Sequence, residues 1–388
     1  MSQSLSENLV RLQRVAFTLG GVGAALCGAG LASDAKRFYE AWLVAFLFWL
    51  APALGSMAIV MLHNMTGGGW GFAVRRLLEA AMRTVPWMAL FFVPVLLGMH
   101  ELYEWSHADA VAADPLLAHK ALYLNARFFS VRALVYFALW AGLARAIVRL
   151  SERYDRKLST KALRRLKVAS GFGLAGYVLT LTFASFDWGM SLEPHWYSTI
   201  YGLQFVVGQA LATLCVAIVV ASRLARHEPF SRWLSPGHFH DLGNLTMAFV
   251  LLWAYLAFSQ YLIIWSGNLP EETPFYVARL GHGWQALALL LLVGHFAAPF
   301  AILLVRQTKR DPRVLAAIAV VLLGMRYVDL YWMLAPAFRA GFAPHWIDLA
   351  AMVALGGLWI GLFVRSLRGR PLVSLQDSRL LGQLEGVA

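Results

Sequence analysis

Ten apolar runs, each long enough to cross a lipid bilayer, dominate this sequence of 388 residues. A membrane-spanning helix needs about 20 mostly apolar residues. Charged residues make up only 14% of the chain, against about 25% in soluble proteins. We therefore predict an all-α polytopic membrane protein of about ten transmembrane helices, at residues 15–33, 38–62, 83–100, 127–149, 168–186, 199–222, 243–265, 283–305, 313–331 and 346–366.

The 33 lysines and arginines are divided unevenly between the two sets of connecting loops. The termini and alternate loops hold 25 of them, the opposite loops hold five, and three lie inside predicted spans. Because basic loops stay in the cytoplasm, both termini are predicted to be cytoplasmic. The net charge of +12 does not indicate a nucleic-acid partner, since no basic segment is interleaved with exposed aromatic residues as single-strand binding requires.

The cysteine content argues against several kinds of redox centre in this chain. Cys27 and Cys215 both lie inside apolar runs, and no CxxC or CxxCH motif is present. A disulfide framework, an iron–sulfur cluster and a c-type haem are therefore not expected. The polar segment at residues 1–14 has no short apolar core with a small-residue cleavage site, so we expect the first helix to be retained.

A short internal repeat suggests that the membrane core is duplicated. FDW at 186–188 is followed by PHW at 194–196, and VDL at 328–330 is followed by PHW at 344–346. Helices 2–5 and 6–9 would then form two four-helix bundles of the same topology, related by an axis along the membrane normal. Helices 1 and 10 would flank these two bundles.

Ionisable residues inside the predicted spans are candidates for proton transfer. A charge at this depth costs about 2.5–3.5 kcal/mol, so it is expected to be paired, hydrated or functional. Arg326 and Asp329, three residues apart on helix 9, can neutralise each other, either as a structural salt bridge or beside a proton route. Arg132 lies within helix 4 and His295 near the middle of helix 8.

His295 has three possible roles. It could be a neutral buried histidine bonded to a backbone carbonyl, or a proton relay, because histidine titrates near neutral pH. A haem ligand is the third role, but it would need a second histidine at the same depth. The sequence places His63 at the cytoplasmic end of its helix, and His100 and His282 at the outer ends of theirs.

Acids collect in the loops predicted to lie outside the membrane, where they could accept protons. We expect Asp187, Arg326 and Asp329 to lie in the outer half of the membrane, near polar residues such as Glu101, Glu104 and Arg132. Because an adjacent opposite charge keeps an acid ionised, the paired Asp329 is expected to be structural, and Asp187 or Glu193 to carry protons. The full set of proton-transfer candidates is Asp187, Glu193, His195, Glu101, Glu104, Arg132, His295, Arg326 and Asp329.

Three segments carry a resemblance to a known family. SFDWGMSLEPHWYSTIYG (185–202) and HDLGNLTMAFVLLWAYLAFSQYLIIWSGNLPEET (240–273) resemble the NrfD-like (polysulfide reductase membrane subunit) proteins. They are most similar to the two such subunits of bacterial alternative complex III, a quinol:cytochrome c/electron-acceptor oxidoreductase. HELYEWSHADAVAADPLLAHKALYLNARFF (100–129) looks most like the second of these, the F subunit. The resemblance covers roughly residues 40–365.

The resemblance implies one NrfD-like membrane domain over residues 1–388, in the bacterial inner membrane. Its parts would be residues 1–37 with helix 1, bundles at 38–186 and 199–331, and 346–388 with helix 10 and a cytoplasmic tail. It implies no haem or metal in this chain, and menaquinol or ubiquinol as the quinol. The implied partners are the sister NrfD-like subunit, an outer iron–sulfur subunit, a multihaem cytochrome c, other small membrane subunits, lipids and a terminal oxidase.

Three functions follow as hypotheses. The first is a subunit that transfers protons and supports assembly without a redox cofactor of its own. The second is quinol oxidation by this chain, with His100 and Asp187 as quinol-site candidates; the family pattern would place another acid near the start of helix 4, where this chain has Asn125 and Arg127. The third is an independent transporter, which would need broken helices in both halves at mid-membrane.

Overall fold

The structure, a computed structural model, describes residues 3–157, 159–228 and 230–368. Ten helices in these ranges are long and apolar enough to cross a membrane, which confirms the predicted all-α polytopic class. They are α1 (Leu5–Ser33), α2 (Ala35–Thr66), α3 (Gly69–Leu97), α4 (Ala126–Arg156), α5 (Thr160–Leu192), α6 (Tyr201–Leu224), α7 (Pro236–Gly267), α8 (Trp284–Leu304), α9 (Pro312–Ala337) and α10 (Trp346–Leu367).

Several helices extend well beyond the apolar runs that predicted them. We call the end of the bundle that carries the α2–α3, α4–α5, α6–α7 and α8–α9 connections the basic face, and the opposite end the acidic face. Towards the basic face, α3 begins at Gly69, where the sequence predicted residue 83, and α5 begins at Thr160, where it predicted 168. Hydropathy marks only the stretch that fits the hydrocarbon, whereas these helices continue through charged turns.

Helices α2–α5 and α6–α9 pack in the same pattern. In the first set α2 and α4 each contact α3 and α5, and in the second α6 and α8 each contact α7 and α9. Between the sets, α2 contacts α6, α5 contacts α6, and α9 contacts α2. If α2–α5 are matched in order with α6–α9, the α5–α6 contact corresponds to the α9–α2 contact, and the α2–α6 contact corresponds to itself. This is the pattern expected for two bundles related by an axis along the membrane normal.

The two sets meet closely where α2 crosses α6. The hydroxyl of Thr213 on α6 donates a hydrogen bond to the carbonyl of Ala51 on α2, at 3.1 Å. A Cβ atom at Gly55 would lie 2.2 Å from Thr213 Oγ1 and 2.5 Å from the backbone oxygen of Gln209. The absence of a side chain at Gly55 therefore allows this close approach, a common device between membrane helices.

Helix α1 packs mainly along α10. A Cβ at Gly23 would lie 2.5 Å from the backbone nitrogen of Ala354, and one at Gly357 would lie 2.3 Å from that of Gly20. The two backbones therefore touch through glycines. Helix α10 in turn packs against α2 and α3, so it joins α1 to the first bundle.

Two of the spanning helices are interrupted. Helix α3 is divided by turns after Met82 and Phe91. Helix α8 contains one stretch of π-helix, Leu292–Ala297, which includes His295. Such π-helical turns are rare and often lie at functional sites.

Candidate functional site

The carboxylate of Asp187 on α5 is enclosed by two side chains of α4. Arg132 donates from Nε to Oδ2 at 2.8 Å and from Nη2 to Oδ1 at 2.9 Å. The hydroxyl of Tyr136 donates to Oδ2, also at 2.8 Å. Asp187 is completely buried. The predicted closeness of Asp187 to Arg132 is confirmed, but both carboxylate oxygens are engaged in a bidentate ion pair, so Asp187 is paired as Asp329 is.

Arg132 also contacts residues other than Asp187. Nη1 of Arg132 donates to the carbonyl of Tyr123 at 2.9 Å. Its guanidinium carbon lies 3.9 Å from the ring centre of Tyr123 and 4.4 Å from that of Phe128, distances at which a cation is attracted to an aromatic face. Burial raises the pKa of Tyr123 to about 12, so its hydroxyl stays protonated at neutral pH.

The second bundle contains the corresponding pair on a single helix. Arg326 donates from Nη1 to Oδ2 of Asp329, as the three-residue spacing predicted. Nε1 of Trp253 on α7 donates to the same oxygen at 3.0 Å. Arg326 is 1% exposed and Asp329 is 3% exposed. A Cβ at Gly208 would lie 2.2 Å from Cζ of Arg326, so this glycine makes space for the guanidinium.

His295 lies next to this pair on α8. Its ring packs edge-to-face on Trp253, with the ring centres 4.0 Å apart. The residue is completely buried, and neither ring nitrogen has a hydrogen-bond partner among the described residues. The expected hydrogen bond to a backbone carbonyl is therefore not present. Buried polar atoms are nearly always bonded, so an imidazole without a partner needs a functional or solvent explanation.

A cavity of about 600 Å³ lies beside Asp329, between α7, α8 and α9. Its polar lining comes from Asp329 and from two glutamines, Gln204 and Gln260. Gln204 is 7% exposed, and its amide makes no side-chain hydrogen bond within the described ranges. The remaining walls are apolar and rich in aromatic rings, namely Trp253, Phe258, Tyr261, Phe275, Tyr276, Phe296 and Trp332.

Glu193 forms an ion pair that joins the α5–α6 loop to the α7–α8 loop at the acidic face. Arg279, in the short helix Pro274–Arg279, donates to its two oxygens at 2.5 and 3.2 Å. The same guanidinium donates to the carbonyls of Phe275 at 2.9 Å and Met333 at 2.6 Å. Arg279 is completely buried. Glu193, expected to carry protons, is thus held by an arginine that also fixes the end of α9.

The other predicted acids and histidines of this face do not join these sites. Glu101 and Glu104 are exposed and make no ion pair or hydrogen bond with Asp187 or Arg132 in the described part of the chain. His100 is exposed and stacks on His107, with ring centres 3.9 Å apart. The two quinol-site candidates, His100 and Asp187, therefore do not face each other across a described cavity.

His195 instead forms a link between two loops. Its Nε2 lies 2.5 Å from Oδ2 of Asp114, so the α5–α6 loop is joined to the α3–α4 loop. Lys120 adds to the link by donating to the carbonyl of Pro194 at 2.6 Å. Hydrogen bonding by His195 lowers the pKa of the Asp114 carboxyl below its usual 3.8.

This link should weaken only in acid. A carboxylate whose pKa falls on folding stabilises the fold above its unfolded pKa, and that contribution is lost as the pH drops through the lower, folded pKa. We expect the protection of amide hydrogens in residues 107–125, corrected for the intrinsic exchange rate at each pH, to fall only below about pH 3.8. Asp114→Asn keeps a side chain suited to cap the helix Pro115–Lys120, and should show the faster exchange already at pH 7. Equal exchange in both proteins at pH 7 would contradict the link.

Sequence reasoning missed two further buried charge clusters. At the basic face, Arg75 and Arg76 both pair with Glu79, at 3.2 and 2.7 Å, and Arg76 also pairs with Asp155 of α4. The spacing of Arg75, Arg76 and Glu79 by three and four residues could have revealed the first part. The connection to α4 carries no local sequence signal.

The second missed cluster is at the acidic face. Arg339, in the α9–α10 loop, pairs with Glu40 of α2 at 3.0 Å and with Asp348 of α10 at 3.1 Å. From the sequence alone Arg339 counted only as a loop charge. The cluster holds the start of α10 against α2.

The fold and these sites together define a class: a multi-pass membrane protein with buried arginine–carboxylate pairs in each of two packed four-helix sets. Comparison of the sequence with protein-family models and with curated proteins finds no match in either case. Among the residues that the structure describes, no group of three or more histidines, cysteines and acids is placed to hold a metal ion.

Proposed function

We propose that this chain is an NrfD-like membrane subunit of an alternative complex III-type assembly, where it transfers protons and supports assembly. The three sequence segments that resemble this family support the proposal, and so does the shared packing pattern of α2–α5 and α6–α9. In this setting both termini lie in the cytoplasm of a bacterium, and the acidic face meets the outer subunits. These are an iron–sulfur protein and a multihaem cytochrome c.

The observation that carries the proton-transfer role is His295 beside the Arg326–Asp329 pair. A proton relay must take up a proton on one atom and release it from another, and histidine can do this through its two ring nitrogens. Within the part of the chain that the structure describes, neither ring nitrogen of His295 has a hydrogen-bond partner. Trp253 separates the histidine from Asp329, which lines the neighbouring cavity. His295 is not among the residues that line this cavity, so a proton moving between the cavity and His295 must pass the ring of Trp253.

This assignment moves the proposed carrier from the first bundle to the second. Asp187 could take up a proton only if its bidentate bonds to Arg132 were broken. Glu193 faces the same restriction from Arg279. We therefore assign these two pairs and the Arg326–Asp329 pair to structure, and His295 to proton transfer.

His295→Phe tests this role, because phenylalanine keeps a ring against Trp253 and removes both nitrogens. We expect the assembled complex to contain this chain in normal amount. Proton release coupled to quinol oxidation should fall by about 10²-fold or more, the usual contribution of a positioned acid–base group. Phe300→Leu, on the same helix but outside the lining of the cavity, changes a ring without removing an ionisable group and serves as the control. Unchanged proton release in assembled His295→Phe would show that His295 is a packing residue.

The cavity beside Asp329 favours quinol binding as a second candidate function. Small-molecule sites are mostly apolar, of about 300–1,000 Å³, with a few converging polar groups. Gln204 and Gln260 supply such groups here, and the walls are aromatic. This would place the quinol in the second bundle rather than at His100 and Asp187. Loss of bound quinone from the purified Gln204→Leu chain would distinguish this function from proton transfer alone.

The positions of the interrupted helices do not support an independent transporter. A transporter built from repeats would have breaks at corresponding places in both halves. The interruptions lie in α3 and α8. The counterparts of these helices, α7 and α4, are continuous.

A further inference from the structure

A groove of about 610 Å³ opens at the basic face between α3, α4 and α10. One wall is formed where α3 turns after Met82, and carries Arg83 and Trp87. The opposite wall is formed by α4, whose Arg145 and Arg149 line the rim of the groove. The deeper lining is apolar and comes from Met82, Ala141, Ala144 and Val148.

The charges of this groove are not balanced. Arg83 forms an ion pair with Glu152, at 2.7 Å. Arg145 and Arg149 form no ion pair or side-chain hydrogen bond within the described ranges, and both are exposed. They are four residues apart and so share one face of α4. Three arginines and one glutamate line the groove, which leaves a net charge of 3 − 1 = +2.

The position of the groove along α4 matches the level at which the hydrocarbon core of a membrane would end. Arg145 lies 19 residues after Ala126, the first residue of α4. At 1.5 Å per residue this is about 29 Å along the helix, close to the roughly 30 Å thickness of the hydrocarbon core. The two arginines therefore reach the headgroup layer on the basic face. Trp87, 45% exposed, is the type of side chain that concentrates at this level.

We propose that this groove binds an anionic phospholipid, with its phosphate between Arg145, Arg149 and Arg83 and an acyl chain against the apolar lining. Guanidinium groups bind phosphate oxygens in pairs of parallel hydrogen bonds. Basic pockets between membrane helices are suited to acidic lipid headgroups. The apolar depth of the groove distinguishes a lipid from a small anion, which would need only the charged rim. The proposal does not depend on the proposed function.

The test uses the purified full chain in mixed micelles of detergent with phosphatidylglycerol or phosphatidylcholine. Lipid retention is measured by native mass spectrometry, and thermal stability by the unfolding midpoint. We expect phosphatidylglycerol to be retained and to raise the midpoint, and phosphatidylcholine to do neither. The double variant Arg145→Gln/Arg149→Gln should bind phosphatidylglycerol roughly thirtyfold more weakly, equivalent to about 1 kcal/mol per arginine.

Arg164→Gln/Arg165→Gln is the matched control, because it removes two exposed arginines of the same face that lie outside the groove. This variant should bind phosphatidylglycerol as the wild type does. Equal weakening in both double variants would show a diffuse charge effect and overturn the proposal. Equal stabilisation by inorganic phosphate would show a small-anion site at the rim and overturn it as well.

Discussion

Asp329→Asn is expected to yield much less folded protein than the wild type. The substitution leaves the guanidinium of Arg326, which is 1% exposed, without the one carboxylate that pairs with it among the described residues. Removing one member of a buried ion pair usually costs about 3–5 kcal/mol, because the remaining charge is neither paired nor hydrated. The folded fraction in detergent and the midpoint of thermal unfolding measure this loss directly.

Two comparisons separate the charge effect from a packing effect. Arg326→Met/Asp329→Leu removes both charges and should recover much of the lost stability. Asp187→Asn should be milder than Asp329→Asn, because Arg132 is 8% exposed and keeps its bond to the carbonyl of Tyr123. If the double variant unfolds as readily as Asp329→Asn, the damage comes from lost packing and not from an unpaired charge.

Gly55→Ala is expected to separate α2 from α6 and to destabilise the protein by about 1–3 kcal/mol or more, the usual cost of overpacking. The added methyl group would lie within 2.5 Å of the backbone oxygen of Gln209, which cannot move without its helix. The hydrogen bond from Thr213 to Ala51 would be stretched at the same point. Thermal unfolding of the purified variant measures the effect.

Gly142→Ala is the matched control for this substitution. Gly142 also lies inside a helix, but nothing is within 4 Å of the position that its Cβ would take. Alanine favours helix over glycine by about 1 kcal/mol, so this variant should be slightly stabilised. The two substitutions are therefore expected to change the stability of the protein in opposite directions. A stabilised Gly55→Ala would show that the α2–α6 contact tolerates wider spacing.

The sequence predicted what depends on local pattern and missed what depends on distant contacts. Apolar runs identified all ten spans, and the three-residue spacing of Arg326 and Asp329 identified their ion pair. The partner of Asp187 is Arg132, 55 positions away on another helix. The partner of Glu193 is Arg279, 86 positions away. No spacing rule connects such residues. The order of the spans placed Arg132 near Asp187, but it did not show that the two form an ion pair, nor that Glu193 pairs with Arg279.

Helix ends and the surroundings of His295 were unpredictable for related reasons. Hydropathy cannot show that α3 continues through the charged turns around Arg75, because those turns are stabilised by contacts with Asp155 on α4. The mid-depth position of His295 followed from its place in an apolar run. Its place in a π-helical turn and its contact with the Trp253 ring could not be predicted, because both depend on packing between helices and not on the pattern of residues.

The packing of α1 on α10 has a consequence for biosynthesis. Synthesis runs from the N-terminal to the C-terminal side, so α1 enters the bilayer before α10 and waits until more than 300 further residues, up to Trp346 at the start of α10, have been synthesised. During that time its glycine face has no partner, and lipid must occupy the place of α10. Insertion of α1 therefore cannot rely on its final neighbour. Its uncharged stretch from residue 15 to 33 is sufficient to hold it in the membrane alone.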